Sequence, residues 1–288
     1  MIADAVFYQQ INKDHAFWSE KRRLGAQRGG NTAGLLTHVA GGAAVTSLLF
    51  DAGLGTIDGL CDLTQFEWTW PLEVVLTHAH ADHHAELQIL SELWCTRAGP
   101  RRAALRVRAQ QPTLDRVVPA HPRGFGDGHT LSAVPITPGV TERAGIFAIT
   151  GIGVDHMPGA TIYAVEFGRE KILIVWDMKS PPNVGEYPVL HRPSLTLVDC
   201  NTWSSLSART GHTSAEDLVS SGFLRDLRVD EAAGTRCGIS LVHYSGAEDP
   251  GGPMSDGELA QKFRREYPDL APWVNVAARG QCWTFPAP

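Results

Sequence analysis

The chain has 288 residues, 43% hydrophobic and 19% charged, a composition ordinary for a soluble globular protein with a substantial core. Its net charge of −6 argues against broad electrostatic binding to nucleic acid or to an anionic membrane surface. The five cysteines (Cys61, Cys95, Cys200, Cys237 and Cys282) are scattered and form no CxxC pair, which suits a reduced protein better than a disulfide framework or a cysteine-ligated zinc site. Asp4 precedes any apolar run, so the start does not read as a secretory signal, and no run approaches the ~18 apolar residues of a membrane span. The expectation is a cytoplasmic protein of one domain over residues 1–288, with residues 1–24 as an N-terminal extension.

Within that extension Phe7, Tyr8, Phe17 and Trp18 lie among charged residues, and two placements stay open: a cover over a sheet, or a wall near the mouth of a site. Gly29-Gly30-Asn31-Thr32-Ala33-Gly34 is glycine-rich, but no Lys-Ser/Thr follows it and a strand rather than a helix succeeds it, so a phosphate loop is excluded. Leu35 to Val39 and Val45 to Phe50 read as a hairpin turning at Gly41-Gly42, closed by Asp51-Ala52-Gly53. Residues 54–71 read as a helix and a loop bearing Trp68 and Trp70. Val74-Val75-Leu76-Thr77 is then a buried-type strand running directly into His78, His80, Asp82, His83 and His84. Each buried imidazole needs a hydrogen-bond partner, so packing does not explain that density, whereas imidazole and carboxylate are the usual ligands of zinc and similar ions.

Ala85 to Trp94 follows with helical periodicity. Arg97, Arg101, Arg102, Arg106 and Arg108 read as a solvated face around a short strand, Ala103 to Val107; aromatic platforms for RNA are missing. His121 and His129, in a Pro/Gly-rich loop, read as surface residues. Strands then dominate: Ile146 to Thr150 leads to His156, Thr161 to Phe167 follows, Lys171 to Trp176 delivers Asp177, and Leu195 to Val198 delivers Asp199. Thr213 or Ser214 caps a helix from Ala215 to Leu218, Ile239 to Val242 ends in His243, Asp256 to Tyr267 is helical, and Trp273 to Trp283 adds a final strand. Strands that end in metal-capable residues and alternate with helices define an α/β (α+β) protein, and two strand series allow sheet-on-sheet packing with outer helices.

The strand-end residues His78, His80, Asp82, His83, His156, Asp177 and His243 can hold two ions, three histidines around one, an Asp and two histidines around the other, and a shared Asp between. Such a site makes hydroxide available near neutral pH and neutralises charge on a phosphoryl or carbonyl oxygen. It lacks a proton donor for the leaving group, and His212, on the loop Gly211-His212-Thr213-Ser214, is the candidate.

Thr77-His78-Ala79-His80-Ala81-Asp82-His83 matches the HxHxDH signature of the metallo-β-lactamase fold superfamily, and the chain resembles that superfamily from Gly29 to about Gly280. Gly30-Asn31-Thr32 with Leu48 to Gly53 resembles its opening hairpin, and His156 with Tyr163 and Glu166 is similar to the third-ligand motif of its phosphodiesterase branch. The resemblance implies a four-layer αββα sandwich of two mixed sheets flanked by helices. It also implies two divalent ions, zinc first, with manganese or iron as alternatives. His78, His80 and His156 would hold the first ion, and Asp82, His83 and His243 the second, with Asp177 between them. Asp82 and His212 would act on substrate, while Asp51, Asp199, His84 and Thr213 are candidates for supporting the ligands or touching substrate.

The loop around His212 resembles that of transfer-RNA 3′-processing ribonucleases and of the cyclic-phosphate diesterase of phosphonate degradation, in which the histidine aids leaving-group departure or holds phosphate. The expected activity is therefore a metal-dependent phosphodiesterase acting on a small phosphate-containing molecule, with a lactone, ester or thioester hydrolase as the alternative and a non-catalytic metal-binding regulator behind both. No Gly/Pro-rich arm for transfer RNA is evident, so nucleic acid is not the expected partner, nor is membrane; a homodimer is the default among soluble oligomers. The chain departs from the superfamily pattern at His84 and Glu86, which replace an apolar residue and a glycine. It departs again at Trp176, which stands where a small residue is common and is expected to narrow the site.

Overall fold

The computed structural model describes residues 4–11, 32–40, 43–62, 66–68, 70–98, 103–126, 130–205, 211–227, 238–246, 249–252, 254–277 and 281–285. The expected Gly41-Gly42 turn, the Gly29-Gly30-Asn31 stretch, Arg101, Arg102, His129 and Cys237 lie outside these residues. Among the described residues, fourteen strands in chain order form two seven-stranded sheets. The first contains β1 (Asp4–Ile11), β2 (Thr32–Ala40), β3 (Ala43–Phe50), β4 (Leu72–Val75), β5 (Leu105–Gln110) and β6 (Leu131–Ile136). The second contains β7 (Thr141–Ala144), β8 (Phe147–Gly153), β9 (Thr161–Phe167), β10 (Glu170–Val175), β11 (Leu195–Asp199), β12 (Gly238–Val242) and β13 (Val274–Val276), while β14 (Cys282–Phe285) returns to the first sheet beside β1.

Both sheets are mixed, as expected. β1 to β3 pair antiparallel and β3 to β6 parallel; β7 to β10 pair antiparallel and β10 to β13 parallel. Side-chain alternation sets the layers. Leu48, Phe50 and Val75 point inward to meet Ile172, Ile174 and Leu197 of the second sheet. Leu49, Val74 and Leu76 point outward against Leu87, Leu90 and Trp94 of the helix Leu87–Ala98 and Leu114 of the helix Gln111–Ala120. On the other outer face Leu173 and Val175 pack near Leu218, Phe223, Leu259 and Phe263. These strands bury both faces, which is why they read as unbroken apolar runs. The result is the four-layer αββα sandwich.

Several expectations are corrected. Part of the N-terminal extension lies within a sheet rather than over it: Asp4–Ile11 is a strand threaded between β2 and β14, with Ala5 opposite His38 on one side and Phe285 on the other, while Phe17 and Trp18 lie outside the described residues. The final strand is two, β13 and β14, in different sheets; a β-type run does not reveal which edge each half joins. Trp176 is fully buried between the sheets, so it fills the core and does not narrow the site.

The arginine strand also runs differently, from Leu105 to Gln110, and Arg108 is not solvated. At 3% side-chain exposure its Nε donates to Glu73 of β4 at 2.5 Å, and its Nη1 to Glu142 of β7 at 2.8 Å, joining the two sheets. The alternation that points Leu105 and Val107 outward forces Arg108 inward, where only paired charge is tolerated. Arg108→Ala should cost about 2–3 kcal/mol, below the value for a fully buried pair because water reaches both glutamates. Urea unfolding measures it, and a loss under about 0.5 kcal/mol would show that the bridge contributes little.

Candidate metal centre

Strands of both sheets end at one place, and the loops leaving their carboxyl ends carry the candidate ligands, as expected for sheets whose chemistry lies beyond the carboxyl ends of their strands. Asp51 follows β3, His78 to His84 follow β4, His156 follows β8, Asp177 follows β10, Asp199 ends β11 and His243 follows β12. Asp51 (φ 57°), Asp177 (φ 45°) and His243 (φ 60°) are in the left-handed region, which non-glycine residues rarely occupy. The chain bends at these strand ends to aim the three side chains inward, and such strain clusters at functional sites.

Three nitrogens converge at one point. His80 Nδ1 lies 3.0 Å from His78 Nε2 and 3.1 Å from His156 Nε2, and Asp177 Oδ2 lies 3.5 Å and 3.8 Å from the latter two. Those separations are close to the ~3.3 Å edge of a tetrahedron with bonds of ~2.0–2.1 Å to the metal. A second group adjoins it: Asp82 Oδ2 lies 3.7 Å from His83 Nε2 and 3.9 Å from His243 Nε2. Asp177 stands between them, its Oδ2 3.2 Å from His83 Nε2 and its Oδ1 3.6 Å from His243 Nδ1.

The remaining ring nitrogens are held so that the inward ones carry lone pairs. His156 Nδ1 donates to Gly211 O at 2.8 Å, and His83 Nδ1 to Asp51 Oδ2 at 2.6 Å. Asp51 also accepts from the Thr77 amide and hydroxyl, both at 2.7 Å, and the Thr77 oxygen, 3.0 Å from His78 Nδ1, accepts from that ring. Asp51 thus fixes two of the candidate ligands. His243 Nδ1 faces Asp199 Oδ1 at 3.4 Å, and Asn201 Nδ2 donates to the His243 carbonyl at 3.3 Å.

The chemistry of this set fits a divalent cation. His83 Nε2, His243 Nε2 and both Asp177 oxygens are buried yet lack a hydrogen bond of adequate geometry. Four orphaned polar atoms at one point are costly unless a cation satisfies them. Burial pushes the Asp177 carboxyl up, but His243, His83 and His78 more than offset it and hold it well below the usual range. Burial likewise pushes His83 and His243 down, while Asp177, with Asp51 for the first and Asp199 for the second, raises both well above an ordinary imidazole. Without an ion, protons therefore supply positive charge that a cation would replace.

His212 stands beside this array, its Nδ1 3.2 Å from Asp199 Oδ2 and 3.7 Å from Asp177 Oδ2. Asp199 therefore orients His212. The cap of the helix Ala215–Ser220 is Ser214, and Thr213, fully buried, donates to Met178 O at 2.9 Å. Thr213 therefore tethers its loop to the segment after β10.

Tyr163, although buried, donates to Leu76 O at 2.8 Å and so braces the ligand loop; Glu166 pairs with Lys171 away from the centre. Glu86 accepts from the Gly55 and Ile57 amides, clamping the loop after Asp51. His121 is not at the surface: it is buried with its Nε2 2.8 Å from His84 Nδ1. Thr77, Asn201 and the Gly211 carbonyl are the parts that sequence reading missed. Thr77 and Gly211 adjoin recognisable motifs, but a carbonyl leaves no trace in residue identity.

A mixed αββα sandwich with a His/Asp centre at its strand ends defines a class, and comparison with solved structures identifies it as the metallo-β-lactamase fold. The chain superposes on the metallo-β-lactamase fold protein YhfI from Bacillus subtilis with a TM-score of 0.69 at 16% identity, covering 99% of this chain and 100% of that one. A diphosphatase from the PhnP family gives 0.66 at 16% identity over 100% and 99%. Zn²⁺-bound PqqB from Methylobacterium extorquens gives 0.66 at 13% over 97% and 99%. No protein-family model matches the chain, and no curated protein matches it in sequence.

Because Asp51 orients both His83 and Thr77, Asp51→Asn should weaken Zn²⁺ binding by about 10–100-fold. Competition with a chromophoric chelator measures this; affinity equal to that of the unaltered chain would remove Asp51 from the site.

Proposed function

We propose that the chain is a hydrolase that works with two divalent ions, zinc first and manganese or iron as alternatives, and that it cleaves a phosphodiester in a small molecule. His78, His80 and His156 would hold one ion and Asp82, His83 and His243 the other, with Asp177 shared. When bound, the ions lower the pKa of water and neutralise charge building on phosphoryl oxygens. The observation that carries the phosphate reading is the Asp199–His212 pair beside the array. Burial pushes His212 down, but the Asp199 carboxylate raises it above the ordinary value, so the imidazole holds a proton it can deliver.

The residues then divide the work. Asp82 is 40% exposed, and although burial pushes its carboxyl up, His243 and His83 hold it at about 2, leaving an ionised acceptor at the opening that can orient the attacking water. As the water oxygen bonds to phosphorus, the P–O bond to the leaving group breaks and the departing oxygen takes the His212 proton; the proton lost by water passes to solvent and His212 is reprotonated. The likeness to a diphosphatase from the PhnP family supports phosphate chemistry.

His212 also falls within a group with Asp177, Asp199 and His243 that could itself take an ion, so its role needs a direct test. His212→Ala should keep the metal content while reducing turnover by a factor of about 10²–10⁴. Elemental analysis with kinetics on bis(p-nitrophenyl) phosphate reads both, and loss of metal would make His212 a ligand. Assays with acyl-lactones and thioesters run beside it: turnover of those with an inert phosphodiester would overturn the phosphate reading, and no turnover of any would leave a metal-binding regulator.

A further inference from the structure

We propose that His121 is a positioning residue for the metal centre, acting through His84 on the peptide between two candidate ligands. The proposal rests on reading the cluster as a metal site. Among the histidines there, His78, His83 and His156 each have the second ring nitrogen held by a hydrogen-bonding neighbour, and His243 Nδ1 faces Asp199 Oδ1 at 3.4 Å. His80 differs. It is exposed, it presents Nδ1 to His78 and His156, and among the described residues its Nε2 makes no hydrogen bond. Its ring is therefore placed by its backbone.

That backbone is tethered. The carbonyl of Ala79, one residue before His80, lies 3.3 Å from His84 Nε2, and His84 Nδ1 lies 2.8 Å from His121 Nε2. A carbonyl only accepts, so the His84 proton is on Nε2; the neutral ring then offers a bare Nδ1, and His121 Nε2–H donates to it. The two rings meet edge to face, 5.0 Å between centroids at 85°. His121 is itself fixed: its amide donates to Val118 O at the end of the helix Gln111–Ala120, and its carbonyl accepts from the Gly124 and Phe125 amides. A chain of two hydrogen bonds thus runs from a rigid helix end to the segment that places His80. It also gives His84, where the superfamily pattern has an apolar residue, a task that an apolar residue could not perform.

The test is Zn²⁺ affinity by chelator competition for the full chain and two variants. His121→Phe keeps a ring and removes the donor; His121→Gln puts an amide N–H near the place of Nε2. The expected result is about a tenfold loss of affinity in His121→Phe and recovery to within about threefold in His121→Gln. Affinity unchanged in His121→Phe would overturn the proposal, as would equal losses in both variants, which would mean that ring shape rather than the donor matters. Nitrogen-15 spectra of the unaltered Zn²⁺-loaded chain decide independently of variant folding. Protons on Nε2 of both His84 and His121 are expected, and a proton on His84 Nδ1 would reverse the relay and overturn it. Failure of the unaltered chain to bind Zn²⁺ would instead overturn the metal reading itself.

Discussion

The structure depends on a buried carboxylate that has no proton to share and no hydrogen bond to accept. Asp177 is 1% exposed, both of its oxygens lack hydrogen bonds, and five imidazoles approach them within 3.8 Å. Taking a carboxylate out of water is costly unless positive charge accompanies it. The surrounding arrangement reads as the means of supplying that charge: four loops from the first and second sheets converge on it, and their imidazoles are turned so that the inward nitrogens face its oxygens. The left-handed backbone at Asp177 and His243 is the local strain that this convergence entails.

Around that point the supports form a graded series. Asp51 and Thr77 fix His83 and His78, the Gly211 carbonyl fixes His156, and Asp199 faces His243 Nδ1 while Asn201 donates to the His243 carbonyl. Asp199 also contacts His212 through its other oxygen, so the candidate proton donor and a candidate ligand are oriented by one side chain. The Gly211 carbonyl couples them a second time, because the peptide that holds His156 also leads into His212. The placement of the candidate ligands and that of the candidate proton donor are thus mechanically linked. Support of this kind keeps a reactive constellation within the tolerance catalysis needs.

Much of this was legible in the sequence, for identifiable reasons. Apolar runs such as Lys171 to Trp176 report strands buried on both faces, and a polar residue ending such a run reports a strand-end loop. That logic singled out Asp177, Asp199 and His243, which lie 99 to 165 residues beyond His78, without any structural information. It failed where the decisive fact was a partner rather than a residue type. Arg108 and His121 were read as solvated because isolated Arg and His usually are, and what buries them is a carboxylate or an imidazole from another element. Trp176 was misread because the alternation that places Ile172 and Ile174 in the core also carries it there, one residue before the strand-end turn. The N-terminal strand was missed because its partners, β2 and β14, come from opposite ends of the chain.

The most direct test of the central reading is anomalous diffraction at the zinc edge from crystals grown with Zn²⁺. Two peaks are predicted, one on each side of Asp177 and roughly 3.5–4 Å apart. One should lie within bonding distance of His78, His80 and His156, and the other of Asp82, His83 and His243. A single peak, or a peak held instead by Asp199 and His212, would contradict the account.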